Sequence, residues 1–205
     1  MITILSELEQ DALLEVLNIG MGQAADSLSQ MVGEEVLLSV PRIFFMYRHE
    51  VFGMIEAEPM TPMAAVRQTF SGPFQGAAML IYPHKKSLEL VRALLREQIE
   101  LEECRELEQE SLTEVGNIIL NACLGSIANI MEIEMLCDLP EYLQGTCDSL
   151  LVARHVPDAS DDTVLLLYVD FMTNNSTIKG YVVLLFDTWT LSQLKTELVG
   201  VLSRY

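Results

Sequence analysis

The chain has 205 residues, half of them apolar, and its 30 acidic against 12 basic side chains give a formal net charge of −18. That balance repels phosphate backbones and anionic headgroups, which excludes nucleic acid and membrane surfaces as expected partners. No run approaches 18 consecutive apolar residues, and the start Met1-Ile2-Thr3-Ile4 lacks a basic signal-peptide head, so a cytoplasmic protein is expected.

The first predicted element is a helix. Ser6 and Glu9 spell a capping box, and Glu7 and Asp11 place negative charge at the positive end of its dipole. Leu8, Ala12, Val16, Ile19, Ala24, Leu28 and Met31 recur at helical spacing and mark its expected packed face. Gly20 and Gly22 have no preceding strand, so they read as close-packing glycines rather than a nucleotide loop. A strand follows over Val36 to Val40, ending at Pro41, then an irregular segment or short helix around Val51 to Ile55. Met60 and Met63 are expected in an exposed loop. Ala64 to Phe70 then turns through Ser71-Gly72-Pro73 into Gly76 to Tyr82, a hairpin, and a helix over Ser87 to Leu95 follows.

Leu95 to Glu110 is acidic but punctuated by Ile99, Leu101 and Leu107, and reads as a helical connector. The same order then returns: a helix from about Leu107 to Met131, a strand from Met135 to Leu139 ending at Pro140, and a short segment around Ser149 to Arg154. A second hairpin, Val164 to Phe171 and Ile178 to Phe186, precedes a last helix over Thr190 to Val201. Trp189, Leu191 and Leu194 are expected to anchor that helix, an exposed docking strip being the alternative. The cysteines (Cys104, Cys123, Cys137, Cys147) form no C-x-x-C pair and are expected to be reduced, and His49, His84 and His155 lack metal-ligand spacing.

The recurrence is visible in the residues themselves. Shifting the chain by 99 positions lays Glu7-Leu8-Glu9-Gln10 on Glu106-Leu107-Glu108-Gln109, Asn18-Ile19 on Asn117-Ile118 and Pro41 on Pro140. The chain therefore reads as one domain made of two copies, about 1–98 and 99–205. The expected fold is α/β and internally duplicated, with pseudo-twofold symmetry: an approximately six-stranded continuous sheet with two long helices on one face. Two copies in one chain are expected to meet the twofold arrangement without a second protomer.

Each copy keeps one polar set. It is Asp11-x3-Glu15-x2-Asn18-x22-Pro41 in the first and Glu110-x3-Glu114-x2-Asn117-x22-Pro140 in the second. Residues at i, i+4 and i+7 of a helix fall within about 60° of one another, so each trio forms a narrow polar stripe. Asparagine is a mediocre mid-helix residue and surface side chains drift after duplication, so an identical Glu/Asn pair in both copies points to function.

This doubled D/S-x3-E-x2-N-x22-P pattern resembles the CheC family of chemotaxis proteins, which includes CheX and FliY. So do the phrases Asn18-Ile19-Gly20-Met21-Gly22-Gln23-Ala24 and Glu114-Val115-Gly116-Asn117-Ile118. The resemblance implies a phosphatase acting on the aspartyl phosphate of a CheY-like response regulator. Asn18 and Asn117 would orient the attacking water, and Glu15 and Glu114 would pair with a lysine of the regulator. Asp11, Pro41, Glu110 and Pro140 would support the motif. The chain would need no cofactor of its own, because the regulator brings its Mg²⁺; a CheD-like protein is a further implied partner. Glu110 departs from the family's Asp or Ser, and Leu17 stands where the second copy has Gly116. Both sites are nonetheless expected to be competent. The alternative is a non-catalytic module that sequesters a phosphorylated regulator or docks a CheD-like partner. A flagellar-switch role like that of FliY or the FliM middle domain is set aside, on the expectation that no further domain follows Tyr205.

Overall fold

A computed structural model describes residues 4–55, 61–73, 75–95, 101–151, 163–173, 176–186 and 188–202. Helix α1 (Glu7–Val32) starts where the sequence places it: the Ser6 side chain accepts from the Glu9 N–H, while the Glu9 carboxylate accepts from the Ser6 N–H at 2.6 Å. It ends on Gly33, whose left-handed φ of 63° lets its N–H reach the Ser29 carbonyl. The buried face of α1 is the expected one at Ala24 and Leu28 but not at Leu8, Ile19 and Met31, which are exposed. Leu13, Leu17, Met21, Ala24 and Leu28 are at most 2% exposed, whereas Leu8 and Ile19 are 65% and 57% exposed.

Strand β1 (Leu37–Tyr47) leads through a 3-10 turn at Arg48–Glu50 into the short helix α2 (Val51–Met54). The hairpin β2 (Met63–Ser71) and β3 (Gly76–Pro83), then helix α3 (His84–Leu95), complete the first half. The long helix α4 (Leu101–Ile130) opens the second half, followed by β4 (Leu136–Cys137), β5 (Glu141–Gly145) and α5 (Cys147–Leu151). The hairpin β6 (Thr163–Thr173) and β7 (Ser176–Phe186) and helix α6 (Thr188–Leu202) close the chain. The expected segment beyond Leu151 and the Thr173–Ser176 turn fall wholly or partly outside the described residues, as does Met60. Met63 is no loop residue: it is 1% exposed at the start of β2.

One antiparallel sheet runs β1-β6-β7-β3-β2, with β4 and β5 both on the far side of β2. It has seven strands rather than six because the segment expected as one strand after α4 is split around Pro140 into β4 and β5. The strand after α1 survives its proline. β1 runs through Pro41 with an irregularity between Ser39 and Arg42, as an edge strand can where the missing N–H is not needed. β1 lies against the β6–β7 hairpin at one edge, and β4 and β5 lie against the β2–β3 hairpin at the other.

Strand alternation divides the core in two. One face, with Val66, Leu80, Leu167 and Leu184, packs under α1, α3, α4 and α6, so the two long helices share their side with the two terminal ones. The other face, with Ala65, Met79, Leu166 and Val183, is covered by α2 and α5. Leu107–Ile130 of α4 is long and apolar enough to span a membrane by length and composition, but half of it is buried in this packing. Leu191, Leu194 and Leu198 anchor α6, whereas Trp189 is 54% exposed.

Candidate functional site

The first polar stripe lies on α1. Asp11 and Glu15 are exposed and make no hydrogen bond or ion pair with any described residue. Asn18 is half-buried, and both N–H groups of its amide are engaged. Its Nδ2 donates to the Leu14 carbonyl at 3.0 Å and the Val40 carbonyl at 3.1 Å, and its Oδ1 accepts from the Val40 N–H at 2.8 Å. The amide thus takes both backbone groups of the residue preceding Pro41. Val40 falls in the register gap between Ser39 and Arg42, and Asn18 satisfies its backbone groups there. An open pocket of about 240 Å³ adjoins this stripe, lined by Gln10, Asp11, Leu14, Arg42, Ile43 and Phe44. The Arg42 guanidinium lies 4.6 Å from the Tyr168 ring centroid.

The second stripe lies on α4 and differs. Glu114 is exposed, and neither Glu110 nor Glu114 is bonded to a described residue. Asn117 does not reach the strand. Its Oδ1 accepts from Asn121 Nδ2 at 2.8 Å, and its own Nδ2 has no partner among the described residues. Leu139, which precedes Pro140, is 91% exposed, against 1% for Val40. Where the first site has Arg42, the repeat shift places Glu141, whose carboxylate is held by Arg67 at 2.6 Å.

Behind Asn117 stands a group the sequence reading missed. Gln68, 2% exposed on β2, donates from Nε2 to Asn121 Oδ1 at 3.2 Å and to the Asp138 carbonyl at 3.0 Å. A signal was present. Ala64, Val66, Gln68 and Phe70 alternate along one strand face, and a glutamine in that inward phase needs a reason. Gly116 brings α4 down onto β2: a Cβ there would stand 2.5 Å from the Val66 Cβ. Gly20 packs α1 on α4, where a Cβ would meet Ser126 Oγ at 2.1 Å. Gly22, by contrast, is exposed with nothing within 4 Å of an added Cβ, and is not a close-packing glycine.

Burial raises the Cys123 thiol to about 12 and the Cys147 thiol to about 11, so neither is a poised nucleophile. Among the described residues no three His, Cys, Asp or Glu side chains gather to hold a metal ion.

The model of the CheC-like family matches residues 8–44, which contain the whole first motif from Asp11 to Pro41. The CheY-P phosphatase CheC of Bacillus subtilis (strain 168) is 24% identical over 140 residues, covering 67% of this chain and 66% of that protein. The resemblance to the CheC-type family holds. The match therefore spans just under two-thirds of that relative's length. At the level of fold, the chain superposes on Thermotoga maritima FliY with a TM-score of 0.76 at 18% identity, over 96% of this chain and 98% of that one. The FliM middle domain from H. pylori gives a TM-score of 0.63 at 11% identity, over 94% and 99%. The α/β CheC-type fold is thus common to relatives that share little sequence.

Proposed function

We propose that this CheC-like chain hydrolyses the aspartyl phosphate of a CheY-like response regulator in the cytoplasm. One observation carries the reading: an exposed glutamate stands one turn before an asparagine on each long helix, and at Asn117 the amide nitrogen has no partner among the described residues. The similarity to a protein named CheY-P phosphatase supports it. In the reaction, a water oxygen bonds to phosphorus as the P–O bond to the regulator's aspartate breaks. The electron pair leaves with the carboxylate, and the water's protons pass to phosphate and solvent.

Such a transfer needs positioning and charge stabilisation more than covalent help. An amide that can both donate and accept suits Asn18 and Asn117 to holding the water in line. Glu15 and Glu114 would pair with a lysine of the regulator. Leu8 and Ile19, exposed beside Glu15, would meet apolar surface on the same partner. The chain is assigned no cofactor, the Mg²⁺ being the regulator's own, and a CheD-like protein is a further partner on resemblance alone. We also propose that residues 1–98 and 99–205 are two copies within one domain, each lending its first strand to the other.

The two centres are unequal in this reading. Asn18 must leave Val40 before it can serve a ligand, so the Glu114/Asn117 centre carries most turnover. The test is phosphate release from a phosphorylated CheY-like regulator. Replacing Glu15, Glu114 and Asn117 by Ala, which spares the Asn18–Val40 bonds, is expected to abolish it while the circular dichroism spectrum is kept. Unchanged turnover would defeat the proposal. The engagement of Asn18 also favours a second reading, capture of the phosphorylated regulator without hydrolysis; tight binding with no acceleration by the unaltered protein would select it.

A further inference from the structure

We infer that Gln68 and Asn121 are positioning residues that fix which way the Asn117 amide faces, an inference that rests on the phosphatase reading of the second site. The argument starts at Asp138, whose backbone carbonyl can only accept a hydrogen bond. The Gln68 group 3.0 Å from it must therefore be the NH₂, and the same nitrogen lies 3.2 Å from Asn121. Asn121 must then present its oxygen to Gln68, which turns its own NH₂ toward Asn117 at 2.8 Å. Asn117 in turn must offer Oδ1 to Asn121. Its NH₂ is left for a phosphoryl oxygen or a water, and the second lone pair of Oδ1 for a water proton. A carbonyl in the link between β4 and β5 thus sets the sense of an amide on a helix through two side chains.

The relay has no counterpart in the first copy. The repeat shift places Gly22 at the position of Asn121 and the fully buried Leu167 at that of Gln68. Gln68 Oε1 is buried without a hydrogen-bond partner, a cost that packing alone would remove by placing leucine there as well. A buried glutamine retained at that cost, and directed at the one motif asparagine that is not tied to backbone, is accounted for by what it does to Asn117.

The test uses the full chain with Glu15→Ala, an exposed change that disables docking at the first centre. Gln68→Leu, which copies the other half of the molecule, and Asn121→Ala, which cuts the relay from its exposed end, are introduced separately. Each is expected to lower kcat for the phosphorylated regulator about tenfold, as a reacting group loses its orientation, with KM and the urea midpoint held or raised. Unchanged kcat in both variants, while Asn117→Ala in the same background is inactive, overturns the inference and leaves the phosphatase reading standing. Loss of turnover in the Glu15→Ala parent alone also overturns it, because the second centre would then not be the working one. Absence of turnover in the unaltered protein removes the phosphatase reading itself, and the inference with it.

Discussion

Around Asn18 the side-chain amide closes on the backbone of Val40, whereas around Asn117 the amides close on one another and leave the last nitrogen without a partner among the described residues. The two asparagines occupy equivalent positions after equivalent glutamates, so the contrast arises wholly from their neighbours. Gly22 faces Asn121 across the repeat, Leu167 faces Gln68, and the buried Val40 faces the exposed Leu139. In the first half the asparagine bonds both backbone groups of Val40, and β1 runs on through its proline. In the second it does not, and the strand breaks into β4 and β5. The lesson is that a motif residue's chemistry is decided by which groups compete for its hydrogen bonds, and two matching motifs can make different bonds.

The sharpest way to break that contrast is to remove each asparagine in turn. Asn117→Ala is expected to lower regulator dephosphorylation about 100-fold at its own centre, the scale of losing one positioned donor. Its effect on stability should stay within about 0.5 kcal/mol, because a single exposed partner is lost. Asn18→Ala should do the reverse. It strands the Val40 N–H and carbonyl in a partly buried setting and is expected to cost about 1–3 kcal/mol in urea denaturation, with the smaller share of turnover lost. Equal losses of turnover from the two variants would show that the centres are equivalent and that the Val40 bonds open freely.

Much of this architecture was legible because its signals are local. The capping box at Ser6 and Glu9, both hairpins and the repeat shift itself depend on residues close in sequence or on identity between copies. The packed face of α1 was not legible. Leu8, Ala12, Leu13, Leu14, Val16, Leu17 and Ile19 spread apolar character around most of the helix, so periodicity could not choose a side, and contact with α4 and the sheet decided it. Nor could the sequence tell that one proline interrupts its strand and the other does not, since that turns on the bonds a helix residue makes to Val40. The Glu/Asn stripes were visible from the duplication. The Gln68–Asn121 relay was not, because 53 residues separate its two side chains and only the packing of α4 on β2 joins them.

That packing gives the next test of the difference between the halves. α4 lies on β2 through Gly116, where the first helix has the buried Leu17. Gly116→Ala would push a methyl group into Val66 and is expected to cost about 1–3 kcal/mol, despite the better helix propensity of alanine. Because Asn117 and Asn121 ride on the same helix while Gln68 is fixed in the strand, turnover should fall in the same variant. Stability lost without turnover lost would mean that the relay tolerates a shifted helix.

The smallest expected effect lies across the repeat from Asn121. Gly22 is exposed in the middle of α1, and an added Cβ would meet nothing within 4 Å. Mid-helix glycine loses more backbone entropy on folding than alanine does, so Gly22→Ala is expected to stabilise the protein by about 0.5–1 kcal/mol, read as a raised urea midpoint. It should leave turnover almost untouched, since the amide of Asn18 is already bound to Val40 and needs no neighbour one turn later. A clear loss of turnover would contradict this. It would mean that a regulator approaches the first stripe closely enough to need the missing side chain at Gly22, and that the first half, too, works as a reactive centre.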